Sequence, residues 1–129
     1  MALKVSLDTN IVIDFLRGKK LTTDFIQKMG KQNLAISPMV VFEVLQGVRN
    51  KIELEKTQKE LSGFILLELN QSITQVALSI YEKYILSHSL SIPDSIIAAT
   101  ALVYGLELRT LNLKDFQMIA QLSVSDFLE

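Results

Sequence analysis

Short apolar runs alternate with longer amphipathic segments along the whole chain. The high apolar content of the chain, 49%, favours strands buried on both faces, and the longer segments repeat apolar residues at helical spacing. Strands are predicted at residues 3–7, 34–36, 64–67 and 106–110, with an edge strand at 124–128. Helices are predicted at residues 11–17, 23–31, 39–49, 72–87 and 94–104, with a helical turn at 112–116.

Strands that alternate with helices at these spacings indicate βαβ units. Ser37-Pro38 is a typical helix start, and Gly105 is a typical helix end. Residues 51–62 are polar and charged and end at Gly63. We therefore expect an α/β fold, formed by a single domain over residues 1–129, with a parallel sheet of four to five strands and helices on both faces.

Composition narrows the range of functions. Apolar residues make up 49% of the 129 residues, which is high for one domain and leaves apolar surface for a partner to cover. The net charge of −1 gives no strong global attraction for nucleic acid, so phosphate binding must be local. No cysteine is present, which excludes disulfides and zinc–thiolate sites.

The opening residues do not form a signal peptide and no run approaches the ~20 residues of a membrane span, so we expect a cytoplasmic protein without membrane association.

Three acidic residues stand out because of their surroundings. Asp8 directly follows the first strand, Glu43 interrupts an apolar helix, and Asp94 opens another apolar helix after a proline. Each has a simpler interpretation when it is taken alone. Asp8 and Asp94 would cap helices, and Glu43 would point out of a gap in the apolar stripe or pair with Arg49.

The same three residues together indicate a metal site. Strand ends of a parallel sheet meet at one edge, where ligands bind. Clustered carboxylates repel one another, so three or four of them at that edge imply a divalent cation. Oxygen ligands without histidine or cysteine favour Mg²⁺ or Mn²⁺, which commonly meet substrate phosphates. The sequence therefore indicates phosphodiester or phosphoryl chemistry.

Four segments of the chain resemble the signature segments of PIN domains, especially those of VapC-type toxins. They occur in the expected order and spacing, at residues 5–18, 37–47, 92–101 and 108–116. The resemblance implies that Asp8, Glu43 and Asp94 are metal ligands.

The same resemblance implies a set of polar neighbours around the ligands. Thr9 and Thr110 would orient the carboxylates by hydrogen bonds, with Asn10 also nearby. Many relatives carry an aspartate where this chain has Asn112, and others use the acidic residue before the phenylalanine. We expect Asp115 to be the fourth ligand, through a water molecule, and Asn112 to be a polar neighbour.

The resemblance also implies an activity and partners. The activity is hydrolysis of RNA phosphodiesters by a metal-activated water, with Glu43 or Asp94 able to accept a proton. The expected partners are RNA, a second copy of the chain in a homodimer, and a small antitoxin protein. Basic residues that would contact RNA are Arg17, Lys19, Lys20, Arg49 and Lys114.

Three alternatives remain at this point. A haloacid-dehalogenase-like phosphatase needs a second aspartate two residues after the first, where this chain has Asn10. A receiver-like signalling domain needs adjacent early acids and a late lysine, and neither is evident. A degenerate PIN-like protein that binds without cleaving would also carry these segments, and the departure at Asn112 keeps it open.

Overall fold

The computed structural model describes residues 4–128, so the predicted start of the first strand at residue 3 lies outside it. The described residues form one five-stranded sheet, in which all neighbouring strands are parallel, with the order β3-β2-β1-β4-β5. The strands are β1 (Val5–Leu7), β2 (Leu34–Ile36), β3 (Ile65–Leu66), β4 (Glu107–Arg109) and β5 (Val124–Ser125).

Six α-helices connect these strands. They are α1 (Thr9–Leu16), α2 (Lys20–Met29), α3 (Pro38–Leu45), α4 (Lys51–Leu61), α5 (Gln71–Tyr84) and α6 (Ile92–Tyr104). The predicted turn near residue 113 is a 3₁₀ helix, Leu113–Asp115, and a second 3₁₀ helix is Lys31–Asn33. No helix within residues 4–128 is both long and apolar enough to cross a membrane.

The strand order explains where a ligand can bind. From β1 the chain proceeds to β2 and β3 on one side, and it then crosses back to place β4 on the other side of β1. Right-handed crossovers in the two directions place helices on opposite faces, which confirms the predicted α/β class. The direction of progression changes between β1 and β4, and the carboxyl ends of these two strands therefore flank the crevice where ligands bind in such sheets.

The core includes the central strands, α6 and apolar residues of the other helices. Every residue of β1 and β2 is buried, including the polar Ser6 of β1. In α6, Ala98, Ala99 and Ala101 are completely buried. These small side chains allow α6 to pack closely, and this packing fixes the position of Asp94 in its first turn.

The predicted helix at residues 39–49 is wrong at its carboxyl end, because α3 ends at Leu45. Its apolar pattern continues as far as Val48, although the chain already forms a turn at residues 46 and 47. The polar segment that follows forms α4, and the side chain of Asn50 caps it by accepting a hydrogen bond from the backbone N–H of Glu53 at 2.9 Å. Helix α4 has a weak sequence signal because Leu61 is its only buried residue among those described.

Other boundaries differ by a few residues. Helix α1 begins at Thr9 rather than residue 11, α2 begins at Lys20 rather than residue 23, and α5 ends three residues early. Helix α6 begins at Ile92 and not at Asp94, because Ser91 is its N-cap. The edge strand at the carboxyl end has two residues rather than five.

Candidate metal and catalytic site

Asp8 lies at the junction of β1 and α1, at the centre of the sheet edge. It is the N-cap of α1, where its Oδ1 accepts a hydrogen bond from the backbone N–H of Thr9 at 2.8 Å. Its own backbone N–H donates to the carbonyl of Arg109 in β4 at 2.9 Å. Only 5% of the residue is exposed. The pairing of β1 with β4 therefore fixes this carboxylate at a position that is almost inaccessible to solvent.

Thr110 follows β4 and completes the contacts of Asp8. Its Oγ1 donates a hydrogen bond to Oδ2 of Asp8 at 2.7 Å and accepts one from the backbone N–H of Asn112 at 3.0 Å. Asn10 also reaches this hydroxyl, with Nδ2 at 3.4 Å, while its Oδ1 accepts a hydrogen bond from the backbone N–H of Leu111 at 3.2 Å. Asn10 therefore ties the start of α1 to the loop after β4.

Glu43 reaches the same edge from α3. Val40 and Val44 face the core, and Glu43 lies beside that apolar stripe, half-buried. Its Oε1 accepts a hydrogen bond from Oγ1 of Thr9 at 2.6 Å. The alternative pairing with Arg49 is wrong, because the Arg49 guanidinium bonds to Glu53.

Asp94 lies in the first turn of α6 and is half-buried. Its backbone N–H donates to Oγ of Ser91 at 3.1 Å, so Ser91 performs the capping. The interpretation of Asp94 as a plain N-cap is therefore wrong, because the structure leaves its carboxylate free of that role. A helix N-terminus still favours negative charge at this position.

The pKa values of Asp8 and Asp94 both respond to the neighbouring carboxylates. Burial raises the pKa of Asp8 above its usual value, the hydrogen bonds from Thr110 and Thr9 oppose this change, and the charges of Glu43 and Asp115 add to it. Burial and then the charge of Asp8 raise the pKa of Asp94 to about 6. A hydrogen bond with Ser91 opposes this change, and the charges of Asp115 and Glu43 make smaller contributions that raise the pKa.

No cation within residues 4–128 offsets this negative charge. The ion pairs among these residues involve other acids, and none includes Asp8, Glu43, Asp94 or Asp115. Buried and half-buried carboxylates without a cationic partner are costly in a folded protein. A divalent cation bound between them would remove that cost.

The chemical nature of the available ligand atoms suits such a cation. All four side chains supply carboxylate oxygens, the ligands that Mg²⁺ and Mn²⁺ prefer. In the part of the chain that the structure describes, however, no three acidic or histidine side chains are already gathered as a metal site. A cation shared by these carboxylates would therefore require the side chains to move closer to one another.

The fourth acidic position is in the 3₁₀ helix after β4. Asp115 lies there, and its charge acts on both Asp8 and Asp94. The exposed Asn112 precedes it and contributes its backbone N–H to Thr110. Lys114 lies beside Asp115 in a shallow pocket of about 390 Å³.

A groove of about 580 Å³ leads away from Glu43, and we call it the α1–α3–α4 groove. Its lining residues come from α1, α3, the following connection and α4, and they are Ile13, Leu16, Arg17, Glu43, Val44, Gly47, Val48, Arg49, Glu53 and Thr57. Two of the five basic residues expected to contact RNA, Arg17 and Arg49, therefore belong to this groove.

Lys19 and Lys20 do not line that groove. They lie at the connection between α1 and α2, where Lys19 is 3.9 Å from Asp14 and Lys20 is 2.8 Å from Asp24. Their charges are therefore offset by neighbouring acids.

Sequence reasoning missed Ser91 and Glu53. Both have a signal, since Ser-x-x-Asp and Asn-x-x-Glu are capping patterns that occur here as residues 91–94 and 50–53. Because Glu53 forms an ion pair with Arg49, it also offsets part of the positive charge that lines the groove.

Comparisons with known proteins agree with this geometry. The family model of the PIN domain matches residues 5–121. Ribonuclease VapC19 of Mycobacterium tuberculosis is 30% identical over 119 residues, which cover 90% of this chain and 94% of that protein. A toxin–antitoxin complex from Klebsiella pneumoniae contains a chain that is 32% identical, with a TM-score of 0.79 and coverage of 95% and 96%.

A third comparison concerns the fold alone. VapBC2 from Rickettsia felis, solved bound to a DNA fragment from the promoter, contains a chain that is 20% identical to this one. It superimposes with a TM-score of 0.83 and covers 97% of this chain and 99% of its own. The five-stranded parallel sheet is therefore shared with that structure.

Proposed function

Because this chain belongs to the PIN-domain family and to its VapC ribonucleases, we propose that it is a Mg²⁺- or Mn²⁺-dependent endoribonuclease and the toxin of a toxin–antitoxin pair. The observation that carries this proposal is the group of four carboxylates at the β1–β4 crevice. The charges of this group act on Asp8 and Asp94, and none of the four forms an ion pair with a basic side chain among residues 4–128. The cytoplasm is the proposed place of action.

In this proposal Asp8, Glu43 and Asp94 hold the metal directly, and Asp115 holds it through water. A bound divalent cation lowers the pKa of its water and offsets charge on the substrate phosphate. Thr9 and Thr110 keep the carboxylate oxygens in place, since each donates a short hydrogen bond to one of them.

Glu43 and Asp94 are the proposed proton acceptors. Both are less buried than Asp8, so a water molecule in the crevice could reach either carboxylate.

RNA is the proposed substrate, and the α1–α3–α4 groove is its proposed route to the metal. Arg17 and Arg49 line this groove, and Lys114 lies beside Asp115. Because the net charge is only −1, these local charges would supply most of the phosphate attraction. Single-stranded or looped RNA fits best, since its bases can be splayed out.

The antitoxin is proposed to compete for the same groove. Ile13, Leu16, Val44 and Val48 provide apolar lining, which suits the apolar face of an amphipathic peptide. A basic side chain of that peptide would pair with the carboxylates near Glu43. Such a peptide would inhibit by blocking RNA and by displacing the metal or its water.

A homodimer is proposed through a different face. Helices α5 and α6 enclose an apolar groove of about 300 Å³, whose lining includes the exposed residues Leu69, Leu78 and Ile92. Ile92 lies two residues before Asp94, so a second copy on this face would extend the acidic edge of the first. Burial of this apolar surface would provide the driving force.

The test of the activity is cleavage of a defined single-stranded RNA by the purified chain. We expect cleavage with Mg²⁺ or Mn²⁺ and none with EDTA. Expression of the chain alone should stop growth, and co-expression with the small gene beside it should restore growth and yield a complex. RNA binding without cleavage under any divalent metal would instead support the degenerate binding module.

A further inference from the structure

Arg49 is held by Glu53 through three hydrogen bonds, although its side chain is 83% exposed. The Nε and Nη2 atoms donate to Oε1 of Glu53 at 3.0 and 2.7 Å, and the backbone N–H donates to Oε2 at 3.1 Å. The backbone N–H of Glu53 in turn donates to Oδ1 of Asn50. The guanidinium therefore has a defined place at the start of α4.

That place is on the α1–α3–α4 groove, which also contains Glu43. Arg17 lines the same groove from the end of α1, and within residues 4–128 no acidic side chain forms an ion pair with it. Of the two arginines in the groove, one therefore has its charge available and the other shares its charge with Glu53.

We propose that Glu53 competes with RNA phosphate for Arg49 and thereby limits the affinity of the groove for RNA. This inference rests on the proposed function, because it takes RNA as the ligand. Carboxylate and phosphate both accept paired hydrogen bonds from a guanidinium, so one can replace the other. An exposed ion pair contributes little, so a phosphate can displace Glu53.

The displaced carboxylate remains on the groove and repels the phosphate that replaced it. A neutral side chain at position 53 weakens the competition and removes this repulsion. Glutamine is the matched replacement, because its amide oxygen can still accept a hydrogen bond from Arg49.

The experiment measures binding of a fluorescent single-stranded oligoribonucleotide by anisotropy, in EDTA to prevent cleavage, between 20 and 200 mM salt. Glu53→Gln should tighten binding roughly two- to fivefold at low salt, the scale of one exposed ion pair. It should also make the slope of log affinity against log salt steeper by about 0.7, the value for one more phosphate contact on a single strand.

The control is Glu55→Gln, which removes the same charge from an exposed position of α4 that has no ion pair among the described residues. It should give a smaller gain and leave the salt slope unchanged. In an Arg49→Gln background, the gain from Glu53→Gln should fall to that of Glu55→Gln, because the arginine that was to be released is absent.

Three results would overturn the inference. Equal gains from Glu53→Gln and Glu55→Gln, or a gain from Glu53→Gln that persists without Arg49, would show that Glu53 acts only as a general negative charge. RNA binding by the wild-type chain would still stand in that case. A folded wild-type chain that binds no RNA at any of these salt concentrations would overturn this inference, because the groove would then have no affinity for Glu53 to limit. The cleavage assay with Mg²⁺ or Mn²⁺ tests the proposed substrate separately. Thermal melting checks that each variant is folded.

Discussion

Thr110 donates a hydrogen bond of 2.7 Å to Oδ2 of Asp8, although 102 positions separate the two residues in the chain. The register of the sheet explains this contact, because Leu7 pairs with Arg109 and the next residue of each strand therefore lies at the same edge. The bond is buried, so water does not compete for it. The orientation of Asp8 consequently depends on the pairing of β1 with β4.

Replacement of Thr110 by valine should weaken metal binding. Valine preserves the shape of the side chain but removes the donor to Asp8 and the acceptor for the backbone N–H of Asn112. Loss of a group that orients a metal ligand typically costs about 10–100-fold in affinity. Titration calorimetry with Mn²⁺ measures this change. Thr110→Ser is the control, since it keeps the hydroxyl, and equal losses in both variants would argue against an orienting role.

Removal of one acidic charge from the cluster should not harm the metal-free fold. In Asp8→Asn and Asp94→Asn the volume is kept, while repulsion among the carboxylates decreases, so the melting temperature should hold or rise. Asp24→Asn is the control, because Asp24 pairs with Lys20 on the surface and should give little change. A large loss of stability in Asp94→Asn would indicate that its carboxylate has a structural role instead.

The stability of the metal-free protein should depend on pH through Asp94. Its pKa is about 6 in the folded state and near the usual 3.8 in the unfolded state, so the folded state binds the proton more tightly. Protonation of Asp94 therefore stabilises the folded state relative to the unfolded state. This contribution is at its maximum below pH 3.8 and is lost as pH rises through about 6. Urea unfolding at several pH values measures this loss. It should be smaller in Asp94→Asn, and an equal loss in both proteins would contradict the assignment.

The dimer should depend on the apolar groove between α5 and α6. Leu78 is 57% exposed and lines this groove, so Leu78→Glu would place a charge in the proposed interface and should yield a monomer. Leu86→Glu is the matched control, because Leu86 is 97% exposed and lies outside the residues that line the groove. Light scattering at micromolar concentration distinguishes the outcomes, and a wild-type monomer would exclude this dimer.

The sequence predicts the strands of the sheet and the acidic edge well, because short segments rich in apolar residues alternate with helical ones and Asp8 directly follows the first of these segments. It predicts α4 poorly, since that helix is mostly exposed and has little apolar periodicity. The partner of Arg49 could not be chosen from spacing alone, because Glu43 and Glu53 lie six and four residues from it. The turn after Leu45 and the cap at Asn50 together place Glu53 beside it.

The cap at Ser91 shows a second limit of the sequence. A proline followed by an aspartate is consistent with a helix that starts at either residue. The hydrogen bond from the backbone N–H of Asp94 to Ser91 places the start earlier, and the carboxylate then lies inside the first turn. A difference of two residues in a helix boundary therefore separates a capping residue from a candidate metal ligand.

The most direct test of a metal-dependent ribonuclease centre is the initial rate of RNA cleavage against Mn²⁺ concentration for the wild-type chain, Asp94→Asn and Asp24→Asn. We expect the wild-type and Asp24→Asn rates to rise together from zero to a plateau, and Asp94→Asn to show no cleavage while it remains folded. Cleavage by Asp94→Asn at the wild-type rate, or cleavage by the wild-type chain that persists in EDTA, would contradict the assignment of this site.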